Sequence, residues 1–388
     1  MNYPFDKRHP FLICLYTRIN FEVLKPQNWS KTTFGFHYNL FLMCWSFGDL
    51  KKALLFIGIA LFVVISIAAG LFFELKTFAS TPADKSAQKP VVVTVSKGQT
   101  LKKTAELLHR ENIIKNTAKF VLIARVKGYD KRLKAGEYLL SAAMTPLELL
   151  DIMVKGTVKL YKLTIPEGYN LNQISDLVEA SKLAVKTDFI QAATDAGRVR
   201  QSGLEGKTFE GYLFPDTYFF PKDVSIDRII SAMVKRFWSI FIPDWQSRAK
   251  ELGLTVHQVV TLASIIEKET GAAFERPIIS SVFHNRLDKK MRLESDPTVI
   301  YGIENFDGNL TRKHLATRTP YNTYKIRGLP LGPIANPGGA ALEAALYPDK
   351  TKYIYFVSRK DNTHQFSTNF KQHNRAVRKY QLRRRKKE

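Results

Sequence analysis

The segment from Thr255 to Thr270, TVHQVVTLASIIEKET, ends in two glutamates, Glu267 and Glu269. A carboxyl group kept partly out of water has its pKa raised, because burial disfavours the charged form. It can then work as a general acid near neutral pH. Thr255 and Gln258 have capping-box spacing, and Val259, Leu262, Ala263 and Ile266 recur at helical intervals. The segment therefore predicts a helix with one apolar face and both glutamates at its carboxyl end. Residues two apart on a helix point roughly 200° from each other, so the two glutamates cannot enter one site together. Projection puts Glu269 beside Leu262 and Ile265, on the margin of the apolar face, and Glu267 on the other flank near Val256 and Val260. That favours Glu269 slightly. The alternative is a frayed, solvated helix end, although the helix dipole disfavours a carboxylate there.

Other chemistries have less support. Both cysteines, Cys14 and Cys44, precede a long apolar run, so the chain beyond it holds no thiol nucleophile, disulfide or cysteine-ligated metal. His364 and His373 lack a third ligand at recognised spacing and read as structural histidines; no metal is expected. GLPLGPIANPGG, residues 328–339, has the prolines of a rigid loop and lacks the lysine and serine of a phosphate cradle.

That apolar run, Ala53 to Phe73, is 21 residues without a charge, enough helix to cross a hydrocarbon core of roughly 30 Å. Lys51 and Lys52 precede it and favour an inside amino terminus, leaving the residues after Phe73 outside the cytoplasm. Residues 1–52 read as a short cytoplasmic extension, or as sequence ahead of the true start. The formal charge of +24, part of it in the tail 381–388, would ordinarily suggest nucleic acid. Behind a membrane span the fitting partners are anionic lipid headgroups or an acidic wall polymer, and no nucleic acid is expected.

Residues 74–90 are small and polar towards their end and predict a flexible linker. Val91 to Val95 predicts a strand, 101–109 and 117–126 predict helices, and LKAGEYLLS predicts a second strand. TPLELLDIMVKG predicts a helix capped by Thr145 and Glu148, with Pro146 in its first turn and a stop near Gly156. This 91–157 module resembles a LysM-like fold, a class associated with glycan binding. Farther on, 209–220 is aromatic-rich around Pro215, and about 225–251 predicts one long helix.

Four blocks make the pattern specific: LASIIEKETG, ERPIISSVFHNRLDKKMRLESDPTVIYG, TPYNTYKIRGLPLGPIANPG and YFVSRKDNTHQFSTNFKQHN. Together they resemble the YceG-like family, also called MltG, of membrane-anchored endolytic murein transglycosylases. The resemblance covers about 160–380 and weakens through the module and the span. It implies an α+β chain with one transmembrane helix at 53–73, a LysM-like module and a mixed α+β catalytic domain. It also implies that Glu269, the second Glu of EKET, is the acid and base at the β-1,4 bond between N-acetylmuramic acid and N-acetylglucosamine. The cut end would be a 1,6-anhydro sugar.

The same blocks supply candidate cleft residues. Ser295 and Asp296 precede a short apolar segment, Asp296 being either a second carboxylate or a loop cap. Tyr321, Asn322 and Tyr324 offer groups able to orient N-acetyl sugars, with buried backbone as the other use of Asn322. Arg286 and Arg292 could meet a lactyl or peptide carboxylate. A single carboxylate suffices when the nucleophile is the sugar's own C6 hydroxyl, so no cofactor is implied. The implied partners are peptidoglycan strands, the membrane and, by the same resemblance, peptidoglycan synthases. A water-using muramidase, with Asp296 as its second carboxylate, and a non-enzymatic wall-binding protein are the alternatives.

Overall fold

The computed structural model describes residues 47–382 apart from Gln88. Cys14, Cys44, most of the amino-terminal extension and the basic tail from Arg383 to Lys387 lie outside the described residues. The chain divides into two units, Met1–Ala68 and Ala69–Glu388. In the first, the described residues belong to helix α1 (Phe47–Ser80). Its Leu54, Phe56, Phe62 and Ile67 side chains are each more than half exposed. A helix that is apolar on every side and satisfies its own backbone groups is suited to lipid rather than water. By length and composition it is able to cross a membrane.

The second unit begins with the end of α1. The helix continues to Ser80, past the point where a flexible linker was expected, because Leu75, Phe78 and Ala79 pack against the core of the small module that follows. The chain after it is also held: Asp84 N–H donates to Ala142 O (2.9 Å), and the Ser141 hydroxyl donates to Ala87 O (2.8 Å).

Strands β1 (Val91–Val95) and β2 (Gly136–Leu140) of this module pair antiparallel, with Val93 opposite Tyr138. Between them lie α2 (Leu101–Arg110) and α3 (Thr117–Val126), started by Thr100 and Asn116 side chains that accept main-chain N–H bonds. Helix α4 (Pro146–Lys155) carries the Thr145–Glu148 capping box and ends at Gly156, whose φ of +77° is left-handed. Val93, Leu108, Phe120, Tyr138, Leu149 and Met153 form a closed core.

The larger body is mostly helical. Its two other strand pairs are β3 (Tyr161–Thr164) with β4 (Thr217–Phe220), and β5 (Tyr355–Ser358) with β6 (His364–Ser367), both antiparallel. Helices α5 (Leu171–Ala180), α6 (Lys186–Ala193) and α7 (Ala196–Gln201) lie between the strands of the first pair. The single helix expected over 225–251 is two, α8 (Ile226–Ile240) and α9 (Pro243–Glu251). Pro243 has no N–H to continue a helix and drives Ile242 into an extended conformation, with ψ at 164°.

Helix α10 (Val256–Glu269) runs through the middle of this body. Every residue from Val259 to Ile266 is buried, so the one-faced pattern read from sequence understates its packing. Thr261 and Ser264 are tolerated because their hydroxyls donate to main-chain carbonyls one turn back, at 2.7 Å each. Helices α11 (Arg276–Asp288), α12 (Asp296–Tyr301) and α14 (Gly339–Leu346) surround α10, and the small Ala341, Ala344 and Ala345 of α14 permit close approach. Between α12 and α14 lies α13 (Arg312–Ala316), and α15 (Phe370–Val377) packs on the last hairpin.

A buried carboxyl group ties these pieces together. Glu210 is 2% exposed and accepts hydrogen bonds from Leu171 N–H (3.0 Å), the Tyr301 hydroxyl (3.0 Å) and the Asn336 amide (2.8 Å). None of these partners is cationic, and burial raises its pKa from 4.5 to about 7. The folded chain therefore holds this proton more tightly than the unfolded chain. The associated stability is complete below the unfolded pKa and is lost as pH rises through about 7. Urea unfolding between about pH 5 and 8 should show this decline, and Glu210→Gln should flatten it; parallel profiles would assign the titration to another group. Beside it, a Cβ at Gly211, where φ is +88°, would lie 2.5 Å from Pro333 Cγ and 2.6 Å from Val260 Cγ1. Gly211→Ala should cost about 1–3 kcal/mol in the same measurement.

Candidate active site

The last turn of α10 separates its two glutamates as the projection required. Glu267 accepts from Arg276 Nη2 (3.3 Å) and from Gly338 N–H (3.0 Å), so both of its oxygens are engaged on one flank. Glu167 sits on that flank too. Its pKa is raised first by burial and then by the charge of Glu267, with Arg276 opposing. This carboxylate–guanidinium cluster fastens α10 to α11 and to the start of α14.

Glu269 faces elsewhere. Its Oε1 accepts a 2.6 Å hydrogen bond from the Ser295 hydroxyl. The residue is half-buried, and loss of water around its carboxyl group raises its pKa. The Ser295 bond opposes that rise, the Asp296 charge adds to it, and His364 and Arg286 lower it. Glu269 is thus a carboxyl group biased towards its protonated form, with one hydroxyl ready to stabilise the anion.

Ser295 is held by a small buried polar network. Its N–H donates to Thr323 Oγ1 (3.0 Å), its carbonyl accepts from the Thr298 hydroxyl (2.6 Å), and the two threonine hydroxyls are 2.8 Å apart. Asp296 follows on the surface and accepts from the Tyr324 hydroxyl (2.7 Å). Its carboxyl group is engaged by this phenol, and the Ser295 side chain at the N-cap of α12 makes no cap bond. Tyr324 has a raised pKa, first through burial and then through the Asp296 hydrogen bond, and keeps its phenolic proton. Ser295, Asp296 and Tyr324 therefore gather beside Glu269.

The other candidates are placed differently. Asn322 is fully buried and spends its amide on Thr317 O (2.6 Å), Leu315 O (3.2 Å) and His314 O (3.3 Å), while its carbonyl accepts from Tyr324 N–H (2.9 Å). It shapes the loop and has no group left for a sugar. The Arg286 guanidinium is also buried. It donates to Ile354 O (2.7 Å) and Leu293 O (2.8 Å), bracing the irregular segment that leads to Ser295, and does not face a ligand carboxylate. A guanidinium at that depth takes main-chain acceptors because it cannot be left unpaired. Arg292 is exposed. Tyr321 packs edge-on against Tyr301, with ring centres 4.8 Å apart, on the Glu210 side.

Sequence inspection missed one pair. Glu275 is buried and accepts from His364 twice, at the main-chain N–H (2.9 Å) and at Nδ1 (2.7 Å). This joins the loop after α10 to the start of β6 and brings the His364 charge towards Glu269. The two residues are 89 apart, so no local spacing announces them. Among the described residues no cluster of three or more potential metal ligands occurs.

The opposing influences of Ser295 and Asp296 predict opposite pH shifts. If protonated Glu269 is required, activity falls as pH rises through its pKa. Ser295→Ala should move that alkaline limb to higher pH, and Asp296→Asn should move it to lower pH. A pH–rate profile in which both variants shift the same way would contradict this arrangement.

The model of the YceG-like family matches residues 93–379. The endolytic murein transglycosylase of Bacillus subtilis (strain 168) is 34% identical over 330 residues, covering 81% of this chain and 91% of the relative. The endolytic murein transglycosylase of Streptococcus pneumoniae serotype 2 (strain D39 / NCTC 7466) is 30% identical over 335 residues; the match spans 78% of this chain and 60% of that relative. The crystal structure of a yceG-like protein from Listeria monocytogenes superposes with a TM-score of 0.52 at 36% identity, covering 74% of this chain and 99% of that one.

Proposed function

The chain belongs to the YceG-like family, and we propose that it is an endolytic murein transglycosylase in which Glu269 is both acid and base. The observation that carries this assignment is the half-buried Glu269 carboxyl group, raised in pKa and hydrogen-bonded to Ser295 at 2.6 Å. Protonated Glu269 delivers its proton to the glycosidic oxygen between N-acetylmuramic acid and N-acetylglucosamine as that bond breaks. The carboxylate left behind is stabilised by the Ser295 hydroxyl. It then takes the proton of the muramic acid C6 hydroxyl as that oxygen closes on C1, giving a 1,6-anhydro end and returning Glu269 to its starting state. Because the nucleophile is part of the substrate, its effective concentration is high and no placed water is needed.

Asp296 and Tyr324 form the nearest polar wall and are assigned to sugar binding, with Asp296 also keeping Glu269 protonated. Phe274, 71% exposed on the loop after Glu269, offers a ring face for a sugar. The 91–157 module, with two helices between two antiparallel strands, is assigned a LysM-like glycan-holding role. Helix α1 anchors the enzyme, with the body after Phe73 outside the cytoplasm. Contact with peptidoglycan synthases is proposed only as part of the family role.

Asp296 as a second carboxylate near Glu269 supports one second chemistry, hydrolysis of the glycosidic bond by water. Mass spectrometry of uncrosslinked glycan strands treated with the full chain in detergent separates the two. Anhydro ends are expected, with Glu269→Gln slower by at least about 100-fold. Reducing ends would replace this mechanism with the hydrolytic one, and undiminished cleavage by Glu269→Gln would remove Glu269 from its role.

A further inference from the structure

Two histidines of the catalytic body use their rings differently. His257 engages both nitrogens, Nδ1 with the Tyr212 hydroxyl (3.0 Å) and Nε2 with Leu331 O (3.5 Å). His364 engages one. Its Nδ1 donates to one oxygen of Glu275 (2.7 Å), while its main-chain N–H donates to the other (2.9 Å). Phe356 stands edge-on to the ring with centres 5.3 Å apart, and Phe366 is tilted to it at 6.4 Å. Among the described residues no donor or acceptor meets Nε2, and that atom is not sealed from solvent.

Sequence inspection suggested a structural histidine, and Nδ1 fits that use. The main-chain bond alone, however, would fasten the loop after α10 to β6. The second bond does something more specific, because it fixes the ring. A carboxylate accepting at Nδ1 keeps the ring proton there, so the neutral imidazole carries its lone pair at Nε2. Glu275 is 3% exposed, so water does not compete for this bond. A ring oriented through one nitrogen, with the other left open, is arranged to meet a ligand.

The ring is also beside the cleavage site. Gly271 follows Glu269 by two residues, and a Cβ on it would lie 3.1 Å from Asn362 O. Asn362 in turn precedes His364 by two residues. The two segments therefore touch within two residues of each side chain, and the His364 charge reaches Glu269.

We propose that His364 contacts the glycan, its Nε2 accepting a hydrogen bond from a hydroxyl or N-acetyl N–H of the sugar bound against Glu269. Glu275 is then a positioning residue that acts through His364. The proposal rests on the assignment of Glu269 to the cleavage site.

Two variants keep Glu275 or its replacement hydrogen-bonded and alter only what the ring offers. His364→Asn retains an amide N–H near the place of Nδ1 and has no atom in place of Nε2. Glu275→Gln donates to Nδ1 and moves the ring proton to Nε2, which turns the acceptor into a donor. With the full chain in detergent and uncrosslinked glycan strands, each should lower kcat/KM at least about tenfold at an unchanged thermal midpoint. Wild-type kcat/KM in His364→Asn would overturn the proposal. So would a loss of activity that only follows a fall in thermal midpoint, which would make the pair a structural clasp. A displaced alkaline limb of the pH–rate profile with an unchanged plateau would also overturn it, leaving His364 as a charge that acts on Glu269. Glu269→Gln, measured in parallel, tests the underlying reading separately. Normal cutting by that variant would remove the Glu269 assignment, whereas an inactive Glu269→Gln beside a fully active His364→Asn would remove only the His364 contact.

Discussion

A carboxyl group can be kept away from water and still change charge only if whatever surrounds it is fixed in position. In this protein the fixing begins with α10, which is buried along eight consecutive residues and therefore cannot rotate or slide without opening the core around it. Glu269 emerges from the end of that helix into partial solvent. Desolvation of its carboxyl group opposes ionisation, and the Ser295 hydroxyl supports it. Both influences depend on sub-ångström placement, which a surface loop could not maintain.

Placement of Ser295 depends on groups that never touch a substrate. Thr298 and Thr323 hold its main chain, Asn322 closes the following loop, and Arg286 secures the irregular segment before it. Glu267 serves the same end from the opposite flank through Arg276 and Gly338. Farther back, Glu210 and Asn336 connect α5, the aromatic segment around Leu213 and the proline loop, and Ser264 on α10 accepts from Ile334 N–H in that loop (3.0 Å). A buried polar network of this kind is costly when incomplete. When complete it selects one arrangement of the loops over its competitors.

Helix α1 adds a constraint of a different kind. Leu75, Phe78 and Ala79 make its last turns part of the small module's core, so the module is not carried on a free tether. At its far side Glu137 of β2 accepts from Lys222 (2.7 Å) and from Tyr161 (2.6 Å), linking the module to the catalytic body. The residues from Leu75 near the end of α1 to the β3–β4 pair are thus joined by direct contacts.

Much of this was legible along the chain. The apolar run of α1, both strands and three helices of the small module, the Thr145 and Thr255 capping boxes and the opposition of Glu267 to Glu269 all follow from interactions within a few residues. Local sequence determines such features because hydrophobic period, capping and side-chain direction act over one or two helical turns. What tertiary structure alone decided was the partner of each polar group. Ser295 meets Glu269 across 26 residues, Glu275 meets His364 across 89, and Asn336 meets Glu210 across 126. Asn322 and Arg286, both plausible as ligands by type, became internal braces because the fold buried them among main-chain carbonyls. Residue type sets what a side chain can bond to, but only packing decides which acceptor remains within reach once water has been excluded.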